Sequence, residues 1–331
     1  MVNSYSECFD QIAGFQPLYK GYREARKGKR YSGEVLGFSK NLEENIHELS
    51  DKLLVGSYRP KGFKEFKLYD PKEREISAPY FRDRVVHRSL HQSLEPFFDN
   101  KFIEHSFACR KGKGTHAGVR QAQSFMRKQD SSYFLKCDVK SYFDSVDHRI
   151  LLEILSRQIR DERITDLVEV ILSDPGERGL PIGTLYSQLF ANVYLNEFDH
   201  FVKQGLQAEY YVRYMDDFVF FSDSKQRLHE LREASQGYLK SRLNLKLPYS
   251  KTSLEPAGKG LTFLGYRIFP GHRKLRKRNK KKFKHRLKTQ KQALSRDEID
   301  FSELKASIDS WKGHAQHADT EELKKKYIGE L

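Results

Sequence analysis

The chain has 331 residues, 38% of them hydrophobic, enough for two or three subdomains sharing a continuous core. Its net charge of +15 is localised, because Arg273 to Arg296 holds thirteen Lys or Arg and no Asp or Glu, which leaves the rest near +2. No run of about 18 apolar residues is present, so no membrane span is expected; Met1 to Asp10 lacks the basic-then-apolar order of a secretory signal; and Cys8, Cys109 and Cys137 form no zinc or Cys-x-x-Cys pattern, as expected of reduced thiols in the cytoplasm.

Residues 1 to 60 read as helices. Leu42, Ile46, Leu49 and Leu53 recur at spacings of three and four, the stripe of one helix face, and Gly56 to Pro60 ends that helix. Phe63 to Tyr69 alternates apolar residues with lysines and predicts a strand. A turn at Asp70-Pro71 and a strand-like Arg74 to Pro79 follow. Arg82 to Phe98 predicts a helix with Val86, Leu90, Leu94 and Phe97 on one face. Arg110 to His116 is a basic, glycine-containing loop without the spacing of an ATP-binding phosphate loop; it suits contact with nucleic acid instead. A helix is expected over Gly118–Lys128. Phe134 to Phe143 reads as an apolar strand running into Asp138 and then two aromatics. Tyr210 to Arg213 and Phe218 to Phe221 are dense in aromatic and β-branched residues and predict two strands.

Between those last two strands stands Tyr214-Met215-Asp216-Asp217. Paired carboxylates beside hydrophobic strands are costly unless a cation neutralises them, and Mg²⁺ is commonly held by one or two carboxylates plus substrate phosphates. A solvated Asp turn is the competing reading. Asp138, at the end of its own strand, adds a third acid. Phosphoryl transfer with two metals calls for such converging carboxylates. A helix N-cap is the alternative for Asp138, a job that Asp144 or Asp147 could do as well. Pro270-Gly271 marks a boundary, after which the basic run, interrupted by Phe283, Leu287 and Leu294 at helical spacing, predicts a helix packed on one side and open to a phosphate backbone on the other.

Asp138 to Phe143, Gly183 to Gln188, Tyr214 to Asp217 and Phe263-Leu264-Gly265-Tyr266 stand in the order of reverse transcriptase motifs A, B, C and E, and the chain resembles that family. The resemblance implies an α+β right-hand polymerase fold, with fingers, a palm of antiparallel sheet plus helices, and a helical basic thumb. It divides the chain into an N-terminal helical extension (1–60), fingers (61–132, with parts of 150–180), palm (133–269) and thumb (270–331). The implied activity is RNA-directed DNA synthesis with two Mg²⁺ ions, for which Mn²⁺ can substitute. Asp138, Asp216, Asp217 and Val139 would hold the metals. Lys251 resembles the lysine of motif D that protonates pyrophosphate, with Lys246 as a competitor. Arg74 resembles the fingers arginine on the incoming triphosphate, a role suited to its forked donors. Phe143 resembles the steric gate under the sugar.

The segment Gly179 to Asn192 narrows the resemblance. Ile182 stands where most reverse transcriptases carry Gln, and Gln188 where they carry Pro, a pattern similar to the enzymes of diversity-generating retroelements. Trp311 to Thr320 fits them too, whereas Tyr186 departs from their usual Thr. Ile182, Gly183 and Gln188 would line the nucleotide site, and Arg110, Lys113, Lys277, Arg278 and Lys281 would contact nucleic acid. The implied product is cDNA with errors opposite adenine, made from a template RNA and a primer with dNTPs and a pentameric accessory protein. A group II intron-like or phage-defence reverse transcriptase is the alternative, and a catalytically silent nucleic-acid-binding protein the third. His314 and His317 have a spacing that points only weakly to metal.

Overall fold

A computed structural model of the chain describes residues 5, 8–69, 73–128, 132–173 and 176–329, with the side chains of Leu68 and of residues 73–75 outside that set. The chain begins with α1 (Asp10–Ala13), α2 (Phe15–Ala25), α3 (Gly33–Lys40), α4 (Leu42–Leu54), the hairpin β1 (Phe63–Tyr69) and β2 (Glu73–Pro79), and α5 (Phe81–Asp99). It continues through α6 (Thr115–Met126), β3 (Tyr133–Asp138), α7 (Tyr142–Ser145), α8 (His148–Ser156), α9 (Glu162–Leu172) and α10 (Leu185–His200). Next come β4 (Tyr211–Tyr214), β5 (Asp217–Ser222), α11 (Lys225–Leu243) and β6 (Thr252–Pro256). The last part contains β7 (Leu261–Phe263), β8 (Tyr266–Ile268), β9 (Arg273–Leu275), α12 (Lys277–Leu294), α13 (Phe301–Ala315) and α14 (Glu321–Ile328). Among the described residues no helix is long and apolar enough to cross a membrane. Two units emerge, each from three stretches: Met1–Glu104 with Asp138–Gln207 and Glu233–Lys251, and His105–Cys137 with Ala208–Arg232 and Thr252–Leu331.

In the first unit, α10 buries most of its residues between Tyr186 and Asp199, with Gln188 and Glu197 half-buried. α5 turns Phe81, Val85, Leu90, Leu94 and Phe98 inward. Phe98 rather than Phe97 completes that face; Phe97 is half-buried and meets Tyr5 edge-on at 5.3 Å. The predicted stripe of α4 is present in Ile46, Leu49 and Leu53, all buried. Asp147 caps α8, accepting from the amides of Arg149 and Ile150, and Asp161 caps α9. β1 and β2 pair antiparallel from Phe63↔Pro79 to Tyr69↔Glu73. The predicted turn at Asp70-Pro71 lies outside the described residues.

In the second unit a four-stranded sheet runs in the order β4-β5-β3-β6 and a three-stranded sheet in the order β7-β8-β9. β6 was not foreseen; its five residues show no alternation of buried and exposed positions, so period two leaves no trace in its sequence. β7 and β8 are joined through Leu264 (φ 48°) and Gly265 (φ 90°). Both central residues are left-handed, the geometry of the hairpin turn that follows strand twist, which needs a glycine at one position and tolerates Leu264 at some strain. The core gathers Phe125, Phe134, Val212, Val219, Phe263 and Tyr266 with Phe283, Leu287 and Trp311. The Trp311 ring stacks on Phe283 at 4.0 Å and 6°, so it is a core residue. The basic run is not one helix: Arg273–Leu275 pairs with β8 as β9, and α12 starts at Lys277. α6 starts at Thr115, three residues earlier than the sequence suggests.

Candidate active site

Period two along β3 puts Phe134, Lys136 and Asp138 on one face and Leu135 and Cys137 on the other, and the second pair is fully buried. Burial pushes the Cys137 thiol far up, so it is a packed strand residue and not a nucleophile. Asp138 ends the strand with its side chain 29% exposed and forms an ion pair with Lys251. The register explains this pair. Cys137 faces Thr252 in the antiparallel β3–β6 ladder, so the next residue outward on each strand is Asp138 or Lys251. Lys246, the competing lysine, is exposed, and its carbonyl accepts from the Lys140 amide at 3.0 Å. The N-cap reading of Asp138 falls to Asp147, which caps α8. Val139 is fully buried, so its side chain is core and its carbonyl is its only candidate ligand atom.

The acidic box forms the β4–β5 connection. Tyr214 pairs with Asp217 across the ladder, leaving Met215 and Asp216 as the turn, with Met215 left-handed at φ 52°. Arg213, one residue before the box, is fully buried and its guanidinium donates to the Met215 carbonyl at 3.3 Å. In the sequence Arg213 is one residue of a predicted strand, and its charge inside an otherwise apolar strand is the signal of its role. Asp217 opens β5, 26% exposed, with the Lys136 ammonium 3.0 Å from its carboxylate. Asp216 is half-buried. Within the sheet β5 lies beside β3. Among the described residues no three His, Cys, Asp or Glu side chains are gathered to hold a metal.

In the first unit the segment before α10 is fastened to its surroundings by backbone. The Ser77 amide of β2 donates to the Ile182 carbonyl at 3.3 Å, and the Leu180 amide to the Phe143 carbonyl at 2.8 Å. Gly183 has φ 110°, and a Cβ there would stand 3.0 Å from the Ile76 side chain; both facts call for glycine. Thr184 caps α10, accepting from the Ser187 amide. Ile182 and Phe143 are half-buried. Gln188 lines a cavity of about 360 Å³ with Lys27, Lys29, Arg84, His87 and Arg88. Tyr186, the departure from the family pattern, is fully buried and its ring meets that of His87 edge-on at 4.7 Å. Arg74 sits opposite Leu68 in the hairpin; its side chain, like all of Lys72, lies outside the described residues.

The predicted nucleic-acid contacts divide. Lys277 lines a cavity of about 790 Å³ in the second unit, whereas Arg278 and Lys281 are exposed on α12 and are not among its lining. Lys136, Arg267, Lys274, Arg276 and Lys280 line that cavity too and were not singled out. Arg110 donates to the Ser106 carbonyl at 2.9 Å and Lys113 lies over the Phe107 ring at 5.3 Å, so both also brace their own loop. His116 stacks on His317 at 3.6 Å and the Tyr266 hydroxyl lies 2.9 Å from His314 Nδ1, a packed cluster in place of a metal site.

Residues 67–268 match the reverse transcriptase (RNA-dependent DNA polymerase) family. The chain is 29% identical over 275 residues to protein YkfC of Escherichia coli K12, covering 69% of this chain and 72% of that one. It is 23% identical over 328 residues to the group II intron-encoded protein LtrA of Lactococcus lactis, covering 77% of this chain and 54% of LtrA, so it spans about half of that relative's length. Among solved structures, apo telomerase from Candida tropicalis superposes with a TM-score of 0.51 at 12% identity, over 66% of this chain and 49% of that one. Telomerase from Candida albicans gives 0.50 at 12% identity, over 70% and 51%. These likenesses put the mixed helix-and-sheet fold among right-hand polymerases. The chain belongs to the reverse transcriptase family, the RNA-dependent DNA polymerases.

Proposed function

We propose that this chain copies an RNA template into DNA by two-metal nucleotidyl transfer, with Asp138, Asp216 and Asp217 as the carboxylate ligands. The observation that carries this reading is that Asp138 ends one strand, Asp217 opens the neighbouring strand of the same sheet, and each already faces a cation. Carboxylate oxygens and a main-chain carbonyl at Val139 are the hard donors that Mg²⁺ or Mn²⁺ takes, and both ion-paired acids keep about a quarter of their surface open to exchange a partner. When bound, the ions supply charge neutralisation at the attacking and leaving oxygens. Lys251, which pairs with Asp138, would hand a proton to pyrophosphate. Arg74 would grip the triphosphate and Phe143 would exclude a 2′-hydroxyl. The test is primer extension on RNA with Mg²⁺: Asp216→Asn should abolish synthesis while circular dichroism stays unchanged, and normal extension by that variant would sink the assignment.

The finer reading is an error-prone enzyme of a diversity-generating retroelement, working with a structured template RNA and a pentameric accessory protein in the cytoplasm. Ile182 supports it. Its carbonyl is tied to β2 and its half-buried side chain offers only an apolar contact where a Gln could hydrogen-bond near the nascent pair. A missing polar clamp weakens mispair rejection by about 1–3 kcal/mol. Sequencing of cDNA decides it: Ile182→Gln should lower errors opposite template adenine by roughly tenfold, and an unchanged adenine error rate excludes the role. The similarity to YkfC and LtrA favours a second reading, a group II intron-like reverse transcriptase, for which wild-type cDNA would carry no adenine-specific excess of errors.

A further inference from the structure

Lys136 belongs to two places at once. Its ammonium is 3.0 Å from the Asp217 carboxylate, and the same side chain lines the 790 Å³ cavity of the second unit. That cavity is lined by Phe134, Leu261 and Leu275 and by the cations Arg267, Lys274, Arg276, Lys277 and Lys280. One carboxylate lines it, Glu255, and that acid is paired with Lys259 at 2.7 Å. Lys136 is therefore the cavity cation whose partner is a residue of the acidic box.

Such a lysine has two partners of different strength. In the structure the anion its ammonium meets is Asp217. A phosphate backbone entering among the other cations brings several charges within the reach of Lys136, whose stem is long and flexible. We propose that Lys136 couples the two: a nucleic-acid backbone in the cavity draws its ammonium off Asp217, and the carboxylate so released accepts a divalent cation. The reverse holds by linkage, so a divalent cation on Asp217 releases Lys136 to the backbone. Lys136 is a positioning residue here, since it touches neither the reacting hydroxyl nor the triphosphate. The inference rests on the polymerase reading above.

The test measures Mn²⁺ affinity of the full chain by electron paramagnetic resonance, without dNTP, so that no chemistry occurs. A blunt RNA–DNA duplex is added or withheld, and Mn²⁺ bound by the duplex alone is subtracted. In the wild type the duplex should tighten Mn²⁺ binding about tenfold, within the usual range of coupling between sites. Lys136→Gln should bind Mn²⁺ tightly with or without the duplex, so the coupling falls to about onefold. Lys136→Arg, which keeps the charge, should retain it, and Asp217→Asn should remove the coupled ion. No coupling in the wild type overturns the proposal whether or not the variants fold, as does equal coupling in the wild type and Lys136→Gln. A wild type that extends primers yet shows no coupling loses only this inference; one that neither binds the duplex nor extends loses the polymerase reading with it.

Discussion

The turn ahead of α10 and the turn between β4 and β5 both carry motif residues, and they are held by opposite means. The first is fixed by neutral groups: a glycine against Ile76, backbone bonds from Ser77 and to Phe143, and a threonine cap. The second is fixed by charge. Arg213, fully buried, reaches the Met215 carbonyl, and Lys136 holds Asp217. A turn set by sterics keeps its shape whatever ion is near, which suits a wall that shapes a nucleotide pocket. A turn set by charge responds to cations and anions, which suits a place where metal ions come and go.

Removing the buried charge should give the largest effect. Arg213→Met leaves the Met215 carbonyl without the donor that the guanidinium supplies. The loss should be about 3 kcal/mol or more, read as a lower denaturation midpoint in urea. Arg213→Lys should not restore it, because a single ammonium cannot replace the planar fork. A small effect from Arg213→Met would erase the contrast between the turns.

The steric turn should break more gently. Gly183→Ala puts a Cβ at φ 110° and 3.0 Å from Ile76, a cost of about 1–3 kcal/mol. Combining it with Ile76→Ala removes the clash and leaves the backbone strain. If the double variant recovers part of the lost midpoint relative to Ile76→Ala alone, packing against β2 is part of what fixes the turn; if it recovers none, backbone strain alone accounts for the requirement.

Much of this was readable from the residues because the signals were local. The two strands flanking the acidic box and the helix over Arg82–Phe98 appear within a residue or two of their expected bounds, since apolar periodicity is written into consecutive positions. The ion pairs at the acids were not readable. Asp138 meets Lys251 only through the register that sets Cys137 against Thr252, and Asp217 meets Lys136 only because β5 and β3 are neighbours in the sheet. Those partners are far apart in the chain, and no periodicity connects them. The basic cavity escaped for a related reason. Lys136 and Arg267 lie outside the charged run, and Lys274 and Arg276 lie in or beside a short strand that the run was expected to cover with helix.

The effect that is smallest near neutral pH concerns the surroundings of the steric turn and grows as the pH falls. His87 lines the cavity beside Gly183, Thr184 and Gln188, is almost wholly buried, and has neither ring nitrogen in a hydrogen bond. Burial lowers its pKa to about 3, and the cavity it faces carries Lys27, Lys29, Arg84 and Arg88 against Glu24, so protonation gains little relief there. In the unfolded chain a histidine titrates near 6.5. Below that pH the unfolded state binds a proton that the folded state refuses until about pH 3. Unfolding is then favoured as pH falls, and this one group should remove about 1.4 kcal/mol of stability per pH unit across the window. Stability is fully present above about pH 6.5. His87→Phe keeps an aromatic edge for Tyr186 and has no proton to take. Urea midpoints measured from pH 7 to pH 4.5 should fall less steeply for the variant than for the wild type. Parallel curves would mean that water or an anion reaches His87, and that the wall behind the steric turn is as open to charge as the acidic box.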